Sequence, residues 1–159
     1  MVSHEAHHRP TNAFAPVQVG AAIVGAAFLL AGIAGFIPGV TSDFDTLQFA
    51  GHESEAALLG VFQVSILHNL VHLAFGVAGL ALSRTASAAR MYLLGGGVIY
   101  LLLAVYGAVI DYSSEANFVP LNTADNWLHL GLGLGMLALG LLLPRLGHHT
   151  PAGHSSATA

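Results

Sequence analysis

Two stretches of this sequence carry the same chemistry-bearing pair. Asn69-Leu-Val-His72-Leu-Ala-Phe-Gly76 and Asn126-Trp-Leu-His129-Leu-Gly-Leu-Gly133 both read Asn-x-x-His-Leu-x-x-Gly. His68 stands just before the first and Asp125 just before the second. An imidazole can donate and accept hydrogen bonds, exchange a proton near neutral pH, or bind a metal, whereas an Asn amide can only hydrogen-bond. On a helix, Ser65, His68, Asn69, His72, Gly76 and Gly79 fall at the i, i+3, i+4 spacing of one face, as do Asn122, Asn126, His129, Gly133, Met136 and Gly140. The candidate ligand site is therefore a buried polar cluster of His68, Asn69, His72, Asn126 and His129. Gln63, Ser65, Tyr100, Tyr106 and Asp125 are its expected neighbours.

Four chemistries are open to such a cluster. Asn and His can hydrogen-bond between helices and fix one packing arrangement, at about 0.6 kcal/mol per bond. His72 and His129 can act as the two axial ligands of a b-type haem, with glycines one turn away leaving room for the porphyrin; no inward Arg is present for its propionates. His68, His72 and His129 can hold a non-haem metal, although no carboxylate sits securely beside them. A proton relay, a small transporter or a polar small-molecule site through the same residues is the fourth. The leading expectation carries no cofactor, with haem b on His72 and His129 as its alternative.

Enzymatic constellations are missing. The chain has no Cys, which excludes disulfides, thiolate catalysis and cysteine-held zinc or iron–sulfur centres. There is no phosphate loop, no Gly-x-Ser-x-Gly elbow and no His-Glu-x-x-His. Ser65 beside His68 lacks a buried acid to orient the base. A non-enzymatic protein of unknown biochemical role, an accessory subunit or a small-molecule binder, is expected.

The elements that must position these residues are membrane helices. Of 159 residues, 55% are hydrophobic and only 8% charged, with mean hydropathy +0.71. A soluble domain carries about 25% charged residues, so this chain lacks the polar surface to face water on all sides. Apolar runs at residues 17–37, 58–82, 91–110 and 124–143 approach or exceed the roughly 20 residues a spanning helix needs. The strongly apolar part of the fourth run starts at Trp127, and residues 121–126 supply its interfacial first turn. Continuous apolarity, without alternation, favours helices over barrel strands. The first run is too long for a signal-peptide core and is expected to be a retained helix.

Charge sets the orientation. Arg9, Arg84, Arg90 and Arg145 lie in the N-terminal segment, the middle loop and the C-terminal segment. Asp43, Asp45, Glu53, Glu55, Asp111, Glu115 and Asp125 lie in the other two loops. The positive-inside rule then predicts a multi-pass protein of the bacterial inner membrane with both termini cytoplasmic. Counting roughly 1.5 Å per residue from Arg84 and Arg145 puts His72 about 18 Å deep and His129 about 24 Å deep. Four scattered Arg exclude a nucleic-acid footprint. The expected partner is the lipid bilayer, with a homo-oligomer or a second membrane protein on Gly-rich faces. The tails, residues 1–16 and 144–159, are expected to be disordered, and their His-rich stretches to bind metal only adventitiously. Residues 38–57 are long for a connection and are predicted to hold a short interfacial helix.

The Asn-x-x-His match extends to a duplicated hairpin. Gly25-Ala-Ala-Phe28-Leu-Leu30, with Gly35 beyond, corresponds to Gly97-Val-Ile-Tyr100-Leu-Leu102, with Gly107 beyond. Two hairpins of like topology are most simply related by a pseudo-two-fold axis along the membrane normal. The fold class is therefore all-α: an integral membrane four-helix bundle of two similar hairpins. Local irregularity is expected at Gly95-Gly96-Gly97.

The stretch Leu58-Leu-Gly-Val-Phe-Gln63, running into Leu67-His-Asn-Leu-Val-His-Leu-Ala-Phe-Gly76, together with Asp125-Asn-Trp-Leu-His-Leu-Gly-Leu-Gly133, resembles the domain of unknown function 4383 family. The resemblance runs from about Val17 to Leu143. It implies four helices and a bacterial inner membrane, and it brings no activity, substrate or cofactor to these positions.

Overall fold

The structure, a computed structural model, describes residues 14–143. The His-rich tails lie outside the described residues. Four helices dominate: α1 (Pro16–Ala34), α2 (Ile66–Leu82), α3 (Ala86–Val109) and α4 (Thr123–Leu142). Both α1 and α3 are long and apolar enough to cross a membrane. Between α1 and α2 lies a small antiparallel sheet of β1 (Thr41–Ser42), β2 (Ala57–Leu58) and β3 (Phe62–Gln63), in that order. The all-α expectation is corrected to that extent. A single 3₁₀ turn, Phe44–Thr46, stands where an interfacial helix was predicted.

Pro16 starts α1 at a position where its missing N–H is no loss. The Gln18 side chain accepts from Ala15 N–H at 2.9 Å and donates to the carbonyls of Ser83 and Arg84 at 3.0 and 2.9 Å, tying the start of α1 to the end of α2. The helix ends at Ala34, three residues before its predicted end. Pro38 and a left-handed Gly39 (φ 87°) follow, and Thr41 Oγ1 donates to the Ala34 carbonyl.

The second helix starts at Ile66, eight residues later than predicted. Leu59 and Gly60 both adopt left-handed backbone (φ 55° and 69°), so residues 57–63 fold as a hairpin and not as helix. Ser65 then caps α2, its Oγ accepting from His68 N–H at 3.1 Å. The Ile66 and Leu67 N–H groups donate to the Gln48 and Phe49 carbonyls. These bonds satisfy donors that a helix end would otherwise leave unpaired.

The third helix starts five residues early, at Ala86, because Thr85 caps it through Ala88 N–H. It is continuous through Gly95-Gly96-Gly97, where irregularity was expected. Asn122 and Asp125 form a reciprocal capping box at the head of α4.

Packing is strongest within the pairs α1–α2 and α3–α4, and sparse between α1 and α4. Glycines make both seams. A Cβ at Gly25 would lie 3.0 Å from the Gly76 carbonyl oxygen, and one at Gly97 3.0 Å from that of Gly133. A Cβ at Gly76 would meet Leu29 Cγ at 2.6 Å, and one at Gly133 would meet Leu101 Cδ2 at 2.7 Å. Only glycine permits this approach of backbones. The larger apolar core gathers Val17, Ala21, Phe28, Ala89, Tyr92, Leu93, Tyr100 and Met136, and a smaller one under the sheet gathers Ala56, Leu58 and Val64.

Candidate functional site

The second turn of α4 and the first two turns of α2 bring three histidines together between the helix pairs. The His68 and His72 rings lie 4.6 Å apart, centroid to centroid, and His68 lies 6.5 Å from His129. Phe28 packs against His72 at 5.7 Å and Tyr100 against His129 at 5.2 Å. Phe28 and Tyr100 stack on each other at 5.2 Å. His68 and His129 are each 4% exposed and Asp125 is 2% exposed. Among the described residues, the Nδ1 atoms of His68, His72 and His129 are buried without a hydrogen-bond partner. A buried polar atom left without a partner is costly.

The Asn residues go elsewhere. Three positions along a helix leave Asn and His about 60° apart around the axis, enough to divide them between two seams. Asn69 is fully buried with both amide atoms unpartnered and packs on Gly35 at the end of α1. Asn126 packs on Gly107 near the end of α3 and donates to the Tyr112 hydroxyl. The Asn/His cluster expected from sequence is thus a histidine cluster between the pairs, with one Asn in each seam.

The expected neighbours divide likewise. Tyr100 and Asp125 join the histidines. Ser65 serves as the α2 cap, and the Gln63 side chain donates to the carbonyls of Ser54 and His52 in the loop. Tyr106 donates its hydroxyl to the Ala116 carbonyl. Asp125 Oδ2 accepts from Asn122 N–H at 2.9 Å and from Gln63 N–H at 3.1 Å, joining the sheet to α4.

The histidines form the inner wall of a cavity of about 470 Å³. Its other walls are α1 from Ile23 to Ala34, Leu128 and Leu132 of α4, and a roof of Leu58, Leu59, Phe62 and Val64 from the sheet region. Among the described residues, His68, His72, His129 and Asp125 are its ionisable lining residues, and no Arg lines it. Concave apolar walls with a few convergent polar groups are the usual form of a small-molecule site. Among the described residues, no group of three or more His, Asp and Glu is arranged to hold a metal ion. Sequence reasoning missed Phe28 and the roof. The signal for Phe28 was its match to Tyr100; the roof residues read as helix.

A family model described as a domain of unknown function (DUF4383) matches residues 18–142. The chain belongs to the domain of unknown function 4383 family. The match covers α1 from Gln18, the whole of the other three helices and every residue of the histidine cluster. No curated protein and no solved structure matches this family member.

Proposed function

We propose that this is a non-enzymatic integral membrane protein of the bacterial inner membrane whose cavity binds a small molecule against His68, His72 and His129. The observation that carries the reading is the cavity of about 470 Å³, apolar but for His68, His72, His129 and Asp125 in its wall. An unpartnered buried Nδ1 costs on the order of 1–3 kcal/mol, which a turn of the ring toward a hydrogen-bonding ligand would offset.

In this reading both termini are cytoplasmic and the chain is a four-helix bundle of two similar hairpins. Matching contacts support the duplication. Gly25 faces Gly76 as Gly97 faces Gly133; Asn69 meets Gly35 as Asn126 meets Gly107; Phe28 packs on His72 as Tyr100 packs on His129. Apolar α1 and α3, with exposed Ile23, Leu30, Val98, Leu102 and Val105, support insertion in a bilayer. A haem between His72 and His129 would need rings now packed against Phe28, Tyr100 and His68 to separate.

The test is to purify the full chain in mild detergent, record its ultraviolet-visible spectrum, measure metals, and identify solvent-extracted molecules by mass spectrometry. An organic molecule near one per chain, reduced in His129→Ala, is the expected result. A Soret band, or stoichiometric metal surviving deletion of both tails, would replace the reading with a redox module. A bare protein that takes up no added molecule would end it.

A further inference from the structure

Resting on that reading, we infer that the cavity takes an uncharged, oxygen-headed amphiphile from within the bilayer, through the gap between α1 and α4. Its carbonyl or hydroxyl head meets His68, His72 and His129, and its apolar chain lies along α1.

The gap carries the route. Helix α1 packs closely on α2 but sparsely on α4. Ile23 and Leu30, which line the cavity, are 66% and 68% exposed, and Ala27 between them is also exposed. The mouth is therefore framed by apolar side chains on the surface that faces lipid in the proposed topology. Residues Ile23 to Ala34 span about 16 Å of helix, which makes an elongated slot with its polar end under the sheet.

The head chemistry follows from the inner wall. A neutral imidazole offers one donor and one acceptor, and three of them line the cavity. Asp125 Oδ2 already accepts two backbone N–H bonds that tie it to the sheet and to its own helix cap. Among the described residues no Arg lines the wall to pair with an anionic head, and a head of either charge would be buried at a cost. A carbonyl or hydroxyl satisfies the imidazoles without adding a buried charge. Quinones and long-chain alcohols both present this chemistry.

The duplication argues for one such site per chain. Pairing Gly25 with Gly97 sets Ala27, Ala31 and Ala34, which line the cavity, against Ile99, Leu103 and Tyr106. The row of alanines on α1 is matched by larger side chains in the corresponding row of α3.

The experiment uses the full chain in lipid nanodiscs with a diazirine-bearing long-chain alcohol, mapping labelled residues by mass spectrometry. Decylubiquinone, dodecanol, laurate and dodecylamine serve as competitors. Saturable labelling at one per chain, on residues 23–34 and 128–132, is expected. Decylubiquinone or dodecanol, whichever resembles the natural head, should compete about tenfold better than laurate or dodecylamine. Ala27→Phe, which fills the mouth at an exposed position, should reduce saturable labelling by about tenfold, whereas Ile99→Phe on α3 should leave it unchanged. Equal or better competition by a charged amphiphile would overturn the ligand class while leaving the cavity as a binding site. Absence of saturable labelling, in protein that also purifies without any small molecule, would overturn both this inference and the binding function.

Discussion

Phe28 and Tyr100 stack with ring centroids 5.2 Å apart and planes 20° from parallel, and each also packs against one histidine of the cluster. In the proposed duplication the two aromatics take corresponding positions, as do His72 and His129. The stack is thus the place where α1 and α3 meet, and the cavity opens to one side of it. The correspondence breaks at His68, whose counterpart is Asp125, and the break gives the cavity wall both an imidazole and a carboxylate.

The seam glycines should respond according to what a methyl group would strike. Gly35→Ala and Gly107→Ala drive a Cβ into the Asn69 and Asn126 side chains and should each cost about 1–3 kcal/mol in thermal or denaturant unfolding. Gly131→Ala meets open space and should be neutral or stabilising by up to about 1 kcal/mol. Equal loss at all three would mean the close seams are not formed.

The two Asn residues occupy like positions but should behave differently. Asn69 has no partner for either amide atom, so Asn69→Leu, of similar shape, should leave unfolding unchanged or raise its midpoint. Asn126→Leu removes the bond to the Tyr112 hydroxyl and should cost about 1 kcal/mol. A large loss on Asn69→Leu would show that its amide is engaged by a bound molecule and would contradict the unpartnered reading.

Much of the fold is legible in the sequence. The four apolar runs place four helices, and the His spacing places three imidazoles on inward faces. Two features escape for physical reasons. Residues 58–65 are as apolar as the helix they precede, so hydropathy joins them to it; the left-handed Leu59-Gly60 turn and the Ser65 cap separate them. The partition of Asn69 from His72 depends on which helix each meets, and a spacing of three residues is compatible with one seam or two. The roof over the cavity follows from the same hairpin and was hidden with it.

Asp111 lies just beyond α3, and its carboxyl is held below the ordinary range by the Ser113 hydroxyl and then by the Ser113 N–H, with a smaller contribution from His52. Its folded value is lowered, so its stabilisation is present above the unfolded carboxylate pKa and disappears as pH falls through the folded value. Ser113→Ala should move the Asp111 titration, followed by carboxyl chemical shift, upward toward the usual range. An unchanged titration would remove the hydroxyl as its main cause.

Native absence of Cys makes single-cysteine labelling clean. In the proposed topology, exposed Glu115→Cys should react with a membrane-impermeant thiol reagent in spheroplasts, and exposed Ser87→Cys should react only after lysis. The reverse pattern would invert the protein in the membrane and place the polar end of the cavity on the cytoplasmic side.

The most direct measurement is native mass spectrometry of the full chain released from its own membranes. A species carrying one small organic molecule per chain is expected, diminished in Ala27→Phe and in His129→Ala but retained in Ile99→Phe. Bare chain alone in every sample, with no mass gained on adding quinone or alcohol, would contradict the binding function.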